Sequence, residues 1–205
     1  MRDFFPDLIR RTTYFGEAGI SGYRRYRIEV AEDCLQRCVY CDCRKDDIGG
    51  DPVMELDHFR PKSIFTTRTN DPTNLVLACR SCNRLKKNDW PAGNTTDSHI
   101  DGEGYVDPFV DKRQEYFRVD EHGAVIPLKA PARYVERRLA LNRPLLKRLR
   151  YRTILVLESR ERINEICARI EDALADPTCP QKELLQDCLT GFRKELEILK
   201  LLLPE

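Results

Sequence analysis

Apolar residues recur at helical spacing through the last third of this 205-residue chain. One stripe follows Pro144, a proline that a first helical turn tolerates, and continues to about Ala175. A second stripe runs from Gln181 to Leu203, and the sequence DPTCP between them predicts a break. Together they predict an antiparallel helical hairpin, whose stripes are expected to form an intramolecular core, although a partner could share the surface.

Shorter patterns fill the first two thirds of the chain. Helical spacing predicts a helix near Tyr23–Arg37 and another over Ala132–Leu141. The sequences PVMELDH (residues 52–58) and NLVLAC (residues 74–79) are bounded by turn formers and predict two short strands. The sequence EYFRVDEHGAVIPL predicts a hairpin that turns at His122–Gly123.

These elements place the fold in the α+β class. They divide the chain into four segments: an N-terminal helical extension (1–37), a core (38–90), an irregular and hairpin connection (91–130) and a helical C-terminal region (131–205).

Composition indicates the general class of the protein and its cellular location. With 41% apolar and 34% charged residues, the chain has the makeup of an ordinary folded protein. It has no apolar run of membrane-spanning length, and its first residues lack the features of a signal peptide, so a cytoplasmic location is expected. Disulfides rarely persist there, which favours a metal-binding role for the clustered members of its nine cysteines.

Charge is uneven along the chain although the net charge is only +1. Residues 133–152 carry eight Arg or Lys and one Glu, whereas residues 153–205 carry 11 acidic and 7 basic residues. A concentrated basic segment can grip the phosphates of a DNA duplex, and the alternative is a solvated helix face.

Four cysteines form two Cys-x-x-Cys pairs, Cys38 with Cys41 and Cys79 with Cys82. Four thiolates suit a tetrahedral Zn²⁺ ion, and a site filled by protein ligands leaves no open position for catalysis. This zinc is therefore expected to be structural. The remaining cysteines are expected not to be ligands: Cys34, Cys43, Cys167, Cys179 and Cys188.

A carboxylate and an imidazole stand together in MELDHFRP, at Asp57 and His58. Neighbours in a strand point to opposite faces, so the two would diverge unless the strand ends here, and Pro61 predicts that it does. Aspartate is a hard oxygen ligand for Mg²⁺ or Mn²⁺, and a neutral imidazole accepts a proton near pH 7. Hydrolysis of a phosphodiester needs both functions.

The order Cys-x-x-Cys, Asp-His-x-x-Pro, Asn-Leu, Cys-x-x-Cys-Asn-x-x-Lys resembles the HNH endonuclease family, of the zinc-bearing ββα-metal type. The resemblance covers Cys38 to about Lys87. It implies that residues 38–90 are the nuclease core, with two antiparallel strands and a helix beginning near Asn83, stapled by the four-cysteine zinc site.

The same resemblance implies the site residues. His58 would be the general base, and Asp57 and Asn83 would hold one divalent cation, Mg²⁺ or Mn²⁺. Asn74 would brace the loop that aims His58. Asn83 replaces the histidine that names the family and keeps an oxygen ligand, which makes Mg²⁺ more natural.

Several residues near these motif positions have two possible interpretations. Lys86 and Lys87 could contact phosphates or lie in solvent, and Arg60 could form a loop ion pair or contact a phosphate. Glu55 shares a strand face with Asp57 and could be a further ligand or a nearby acid. Two histidines are expected on the surface: His99 and His122.

The implied activity is metal-dependent hydrolysis of DNA, with a double-stranded substrate, and an RNA substrate stays open. The alternative is a non-catalytic zinc module that binds nucleic acid or a protein, which would not need Asp57, His58 and Asn83 together. A looser resemblance, in YVDPFVD, HGAVIPL and LALNRPLLKRLR, is to compact bacterial HNH proteins. Some are encoded with an ATPase, as in Septu-type anti-phage systems, so the C-terminal helices could dock on a partner ATPase.

Overall fold

The computed structural model describes residues 4–203 of the chain. Its regular elements are, in chain order, α1 Arg27–Asp33, β1 Met54–His58, β2 Leu75–Cys79, α2 Arg80–Lys86, β3 His99–Ile100, β4 Glu103–Gly104, β5 Phe117–Val119, β6 Val125–Pro127, α3 Ala132–Arg138, α4 Pro144–Ala175 and α5 Lys182–Leu202. The strands form three antiparallel pairs, β1–β2, β3–β4 and β5–β6. The α+β class, the ββα core and the helical C-terminal region are confirmed.

Strands β1 and β2 pair with His58 opposite Leu75 and Met54 opposite Cys79. All five residues of β2 are buried, as its continuous apolar run predicts. Helix α2 follows without a loop because Cys79 caps it, with Sγ accepting a hydrogen bond from the backbone N–H of Cys82. The helix therefore begins at Arg80, and the expected start near Asn83 is wrong by one helical turn.

The expected helix over Tyr23–Arg37 is wrong at both ends. A 3₁₀ turn occupies Gly22–Tyr26, and the α-helix covers only Arg27–Asp33. Leu35 and Gln36 then adopt positive φ angles of 53° and 54°. These left-handed residues end the helix and turn the chain into the first cysteine pair.

The hairpin predicted within residues 91–130 is confirmed as β5 and β6. Its turn contains His122 and Gly123, and Gly123 has a φ of 77°, which a glycine adopts without steric cost. Helix α3 stops at Arg138, short of the predicted Leu141. Ala140, with a φ of 46°, redirects the chain there.

Three aromatic rings attach the segment after α2 to the end of β1. The Trp90 ring lies edge-on to Phe59, with centroids 5.5 Å apart, and stacks on Tyr105 at 6.3 Å. All three side chains are buried. Such pairs add a geometric preference to the free energy of apolar burial, so they fix the position of the connection.

The chain divides into two compact units, one ending at Leu149 and the other beginning at Arg150, within α4. The segment boundaries expected near residues 37, 90 and 130 lie in the first unit. Both cysteine pairs and the Asp-His pair also belong to it.

In the second unit, α4 and α5 are antiparallel, as their apolar stripes predict. Arg193 of α5 lies 2.7 Å from Glu171, and Lys200, further along α5, shares a groove with Arg160, further back on α4. No helix within residues 4–203 combines the length and the apolar character that crossing a membrane would require.

Candidate active site and zinc centre

The four predicted zinc ligands come together in the first unit. Their Sγ atoms all lie within 4.8 Å of one another, and every one of these side chains is buried: Cys38, Cys41, Cys79 and Cys82. Sγ of Cys41 is 3.9 Å from Sγ of Cys79. Tetrahedral Zn–S bonds of about 2.3 Å separate two sulfurs by about 3.8 Å, so this cluster fits a zinc ion.

The four thiols and their burial shift one another's pKa values. Burial raises the pKa of Cys38 well above its ordinary value, whereas hydrogen bonds from the other three thiols lower the pKa of Cys79. Four thiolates require a positive ion among them, and binding it would release the remaining protons.

Arg143 lies beside this cluster, a contact that the sequence did not predict. Its Nη2 is 3.5 Å from Sγ of Cys82 and 3.8 Å from Sγ of Cys79, while Nη1 donates to the carbonyl of Leu139 at 2.9 Å. Burial lowers the pKa of Arg143, but the cysteines raise it further, so the net shift is upward. Arg143 would offset one of the two net negative charges of a Zn²⁺ ion with four thiolates.

A pocket of about 220 Å³ is lined by three of the four predicted catalytic-site residues, Asp57, His58 and Asn83, and the fourth, Asn74, is not part of its lining. Strand β1 ends at His58, as Pro61 predicts, so both members of the Asp-His pair reach this pocket. The other residues that line it are Tyr23, Leu56, Pro61, Lys62, Lys87 and Asn88.

The imidazole of His58 has a defined tautomer. Its Nε2 lies 2.9 Å from the carbonyl oxygen of Thr69, and a carbonyl can only accept a hydrogen bond. Nε2 therefore carries the proton, and Nδ1 keeps its lone pair. The Tyr23 ring packs edge-on against the imidazole, with centroids 4.7 Å apart. Burial lowers the pKa of His58 below its ordinary value of 6.5, and Lys62 lowers it further, which favours the neutral ring.

Asn74 holds the backbone just after His58. Its Oδ1 accepts from the N–H of Arg60 at 3.0 Å, and its Nδ2 donates to the carbonyl of Arg60 at 2.9 Å. The asparagine is fully buried. The Arg60 side chain donates to the carbonyl of Thr96 at 2.8 Å and lies 3.5 Å from Asp107. Of the two interpretations of Arg60, a loop ion pair or a phosphate contact, these contacts match the ion pair.

Asp57 is held by two partners, both at Oδ2. The Tyr40 hydroxyl donates to it at 2.6 Å, and Nζ of Lys86 lies 3.3 Å away. Lys86 also donates to the carbonyl of His58 at 3.1 Å, and its side chain is fully buried. Both interpretations of Lys86, phosphate contact and solvent exposure, are therefore wrong. Lys86 follows Cys82 by one helical turn on α2, and this spacing could have placed it on the inner face.

Glu55 orients Asn83. Nδ2 of Asn83 donates to Oε2 of Glu55 at 2.7 Å, and because a carboxylate only accepts, this bond fixes the amide and leaves Oδ1 as its acceptor. Glu55 also binds Nε of Arg80 at 3.1 Å. One carboxylate oxygen of Asp57 and one amide oxygen of Asn83, completed by water, form a donor set that suits Mg²⁺.

The basic segment over residues 133–152 is partly internal. Nε of Arg138 lies 3.2 Å from Asp89, Arg143 contacts the cysteines, and Arg150 is buried. Arg133 and Arg137 of α3 are exposed. Of the two histidines expected on the surface, His122 is exposed, whereas His99 lies half-buried in β3.

Comparison with known proteins agrees with this geometry. Residues 38–89 match the HNH endonuclease family, so this segment is an HNH endonuclease domain. A relative with a curated description is the Septu protein PtuB of Bacillus thuringiensis, 33% identical over 60 residues. The similar region covers 29% of this chain and 23% of PtuB, so it spans about a quarter of that protein.

Proposed function

We propose that this protein is a metal-dependent HNH endonuclease that hydrolyses phosphodiester bonds of double-stranded DNA. The observation that carries the proposal is that Asp57, His58 and Asn83 line the same pocket. In it, the imidazole is oriented by Thr69 so that Nδ1 can accept a proton. The HNH domain over residues 38–89 supports the same reaction class.

In this mechanism, Nδ1 of His58 takes the proton from the water that attacks the phosphorus. Asp57, through Oδ1, and Asn83, through Oδ1, would hold Mg²⁺ or Mn²⁺, which supplies charge stabilisation at the phosphate and the leaving 3′ oxygen. Tyr40 and Lys86 keep the Asp57 carboxylate in place, and the buried zinc cluster serves structure alone.

We also propose a role in anti-phage defence in the bacterial cytoplasm, together with a partner ATPase. The similarity to a Septu protein supports it. Helix α5 exposes apolar side chains that a partner could cover: Leu184, Ile198, Leu201 and Leu202. An ATPase gene next to this one, and a complex of the two proteins that forms through α5, would agree with this role.

The substitution His58→Ala tests the nuclease. It removes the base but leaves Asp57, Asn83 and the cysteines in place. Cleavage of a duplex in Mg²⁺ should therefore fall by about 10²-fold or more, while zinc content and duplex affinity stay near those of the wild type. The unfolding temperature should fall by only a few degrees, because the variant loses the hydrogen bond to Thr69 and the contact with Tyr23. His122→Ala, an exposed histidine in the β5–β6 turn, is the matched control and should cleave normally.

Three outcomes would contradict parts of the proposal. Normal cleavage by His58→Ala would exclude the proposed base. A wild type that binds duplex DNA but cleaves nothing in Mg²⁺ or Mn²⁺ would be a zinc-containing binding module. Cleavage of RNA alone would keep the chemistry and change the substrate.

A further inference from the structure

Lys87 has a backbone conformation that residues with a side chain rarely adopt. Its φ is 51° and its ψ is −130°, in a region where glycine is normally found. The residue follows α2 directly, and its N–H donates to the carbonyl of Asn83 at 2.9 Å, which closes the last turn of the helix. Glycine would make the same turn with less strain, so the backbone gives no reason for a lysine here.

The side chain supplies a reason. Lys87 is exposed and lines the pocket that contains Asp57 and His58. Its neighbour Lys86 is fully buried and bound to Asp57 and to the carbonyl of His58. The strained turn therefore separates two adjacent ammonium groups, with one inside the core and the other at the pocket.

The charges around the pocket favour an anion. The carboxylate of Asp57 is already offset by Lys86 at 3.3 Å. Within residues 4–203, no carboxylate lies within ion-pair distance of Lys87 or Lys62, so both add positive charge to the pocket lining. Nζ of Lys62 lies 5.3 Å from the centroid of the Tyr23 ring, a cation–π contact that keeps this second ammonium at the pocket.

We propose that Lys87 binds a backbone phosphate next to the scissile bond, with Lys62 as a second contact, and that the strained turn is retained to present this ammonium. The inference rests on the proposed nuclease function, in which Lys87 would hold the backbone of the substrate. Lysine serves such a contact as a point charge, independent of base sequence.

Two variants separate charge from strain. Lys87→Gly relieves the backbone and removes the charge, so its unfolding midpoint should equal that of the wild type or exceed it by up to about 4 °C. Lys87→Gln removes the charge but keeps the strained turn, so its midpoint should not rise. Both should bind a fluorescent 20-base-pair duplex in Ca²⁺ several-fold more weakly than the wild type. The slope of log K against log salt concentration should become shallower by about 0.9, the value for one lost phosphate contact. In Mg²⁺, kcat/KM should fall mainly through KM.

Lys87→Arg keeps the charge and should retain affinity and salt dependence, and Lys112→Gln, an exposed lysine away from the pocket lining, is the neutral control. Wild-type affinity and salt dependence in both the Gly and the Gln variants would overturn the inference, as would a wild type that does not bind the duplex. A wild type that binds but never cleaves would refute the nuclease function, while the affinities would still decide whether Lys87 contacts phosphate.

Discussion

His58 is fixed from three sides before any substrate arrives. The Thr69 carbonyl sets the tautomer of the imidazole, the Tyr23 ring packs edge-on against it, and Lys86 donates a hydrogen bond to the backbone carbonyl of His58. A base that is already oriented needs little rearrangement as the reaction proceeds, which is a general source of enzymatic rate. The ring is also the group whose charge changes near neutral pH.

Cleavage should therefore rise with pH, with a midpoint below the ordinary imidazole pKa of 6.5. The neutral ring is the proposed proton acceptor, and burial and Lys62 keep the pKa of His58 below 6.5, so the proposed activity should be lost only as the pH falls through that lowered pKa. Single-turnover rates between about pH 5 and 8 would measure this. Lys62→Gln should move the midpoint to higher pH, whereas Lys112→Gln should not. A wild-type midpoint above neutrality would contradict the prediction.

Lys86→Met should destabilise the fold by about 3 kcal/mol or more, because it leaves the carboxylate of Asp57 buried with only Tyr40 as a partner. The double variant with Asp57→Asn removes both charges and should recover part of that loss. Urea unfolding of the two single variants and the double variant measures the coupling. Strictly additive free energies would show that Lys86 and Asp57 do not stabilise each other.

The sequence predicted candidate site residues that belong to one ordered motif. It did not predict residues that reach the site only through the tertiary fold. Asp57, His58 and Asn83 lie within a recognisable order of residues. Tyr40 and Arg143 contact the site only through the tertiary fold, and Arg143 is 61 residues from Cys82. Hydrogen-bond partners at such separations leave no local pattern, because no single element has to present them.

At the scale of elements, one residue serves three purposes. Cys79 ends β2, caps α2 and belongs to the four-cysteine cluster that fits a zinc ion. Strand, helix and metal site are thus joined without an intervening loop. This arrangement explains why short elements, each of five or seven residues, can hold a pocket between them.

Cys79→Ser should lose zinc and most of the folded structure. Structural zinc contributes on the order of 10 kcal/mol in small zinc peptides, and this substitution also weakens the cap of α2. Elemental analysis should find about one zinc ion per wild-type chain and much less in the variant. Cys188→Ser, at an exposed cysteine of α5, is the control and should keep its zinc. A folded wild type without zinc would refute the structural role.

Element types followed from periodicity, and element ends did not. The apolar stripes predicted α4 and α5 to within a residue or so, because long helices repeat their signal many times. The shorter α1 and α2 were misplaced at their ends. There, positive φ angles and a thiol cap decide the boundary, and neither leaves a periodic signal.

At the scale of the whole molecule, the basic segment leaves less positive charge available for the proposed DNA contact than its sequence suggests. Arg138 and Arg143 have internal partners, and Arg150 is buried. Arg133 and Arg137 are exposed one turn apart on α3, in the same unit as the pocket. The boundary between the units falls within the continuous helix α4, where periodicity carries no mark of it.

Changing Arg133 and Arg137 together to Ala should weaken duplex binding alike for all sequences. The salt dependence of binding should become shallower by about 0.9 for each phosphate that the variant no longer neutralises. Fluorescence titrations at several salt concentrations measure both effects. Arg169→Ala, an exposed arginine of the acidic second unit, should change neither. An unchanged slope in the double variant would mean that α3 faces away from the duplex.

The register of β1 and β2 sets how far damage at the zinc centre can spread. Met54 is paired with the ligand Cys79 at one end of the ladder, and His58 is paired with Leu75 at the other, about 13 Å away. A ladder this short unravels as a whole, since it has no interior long enough to survive the loss of an end. Chelation or thiol oxidation at the cysteines should therefore abolish the proposed nuclease activity by unfolding the pocket, and no folded but inactive zinc-free form is expected to accumulate.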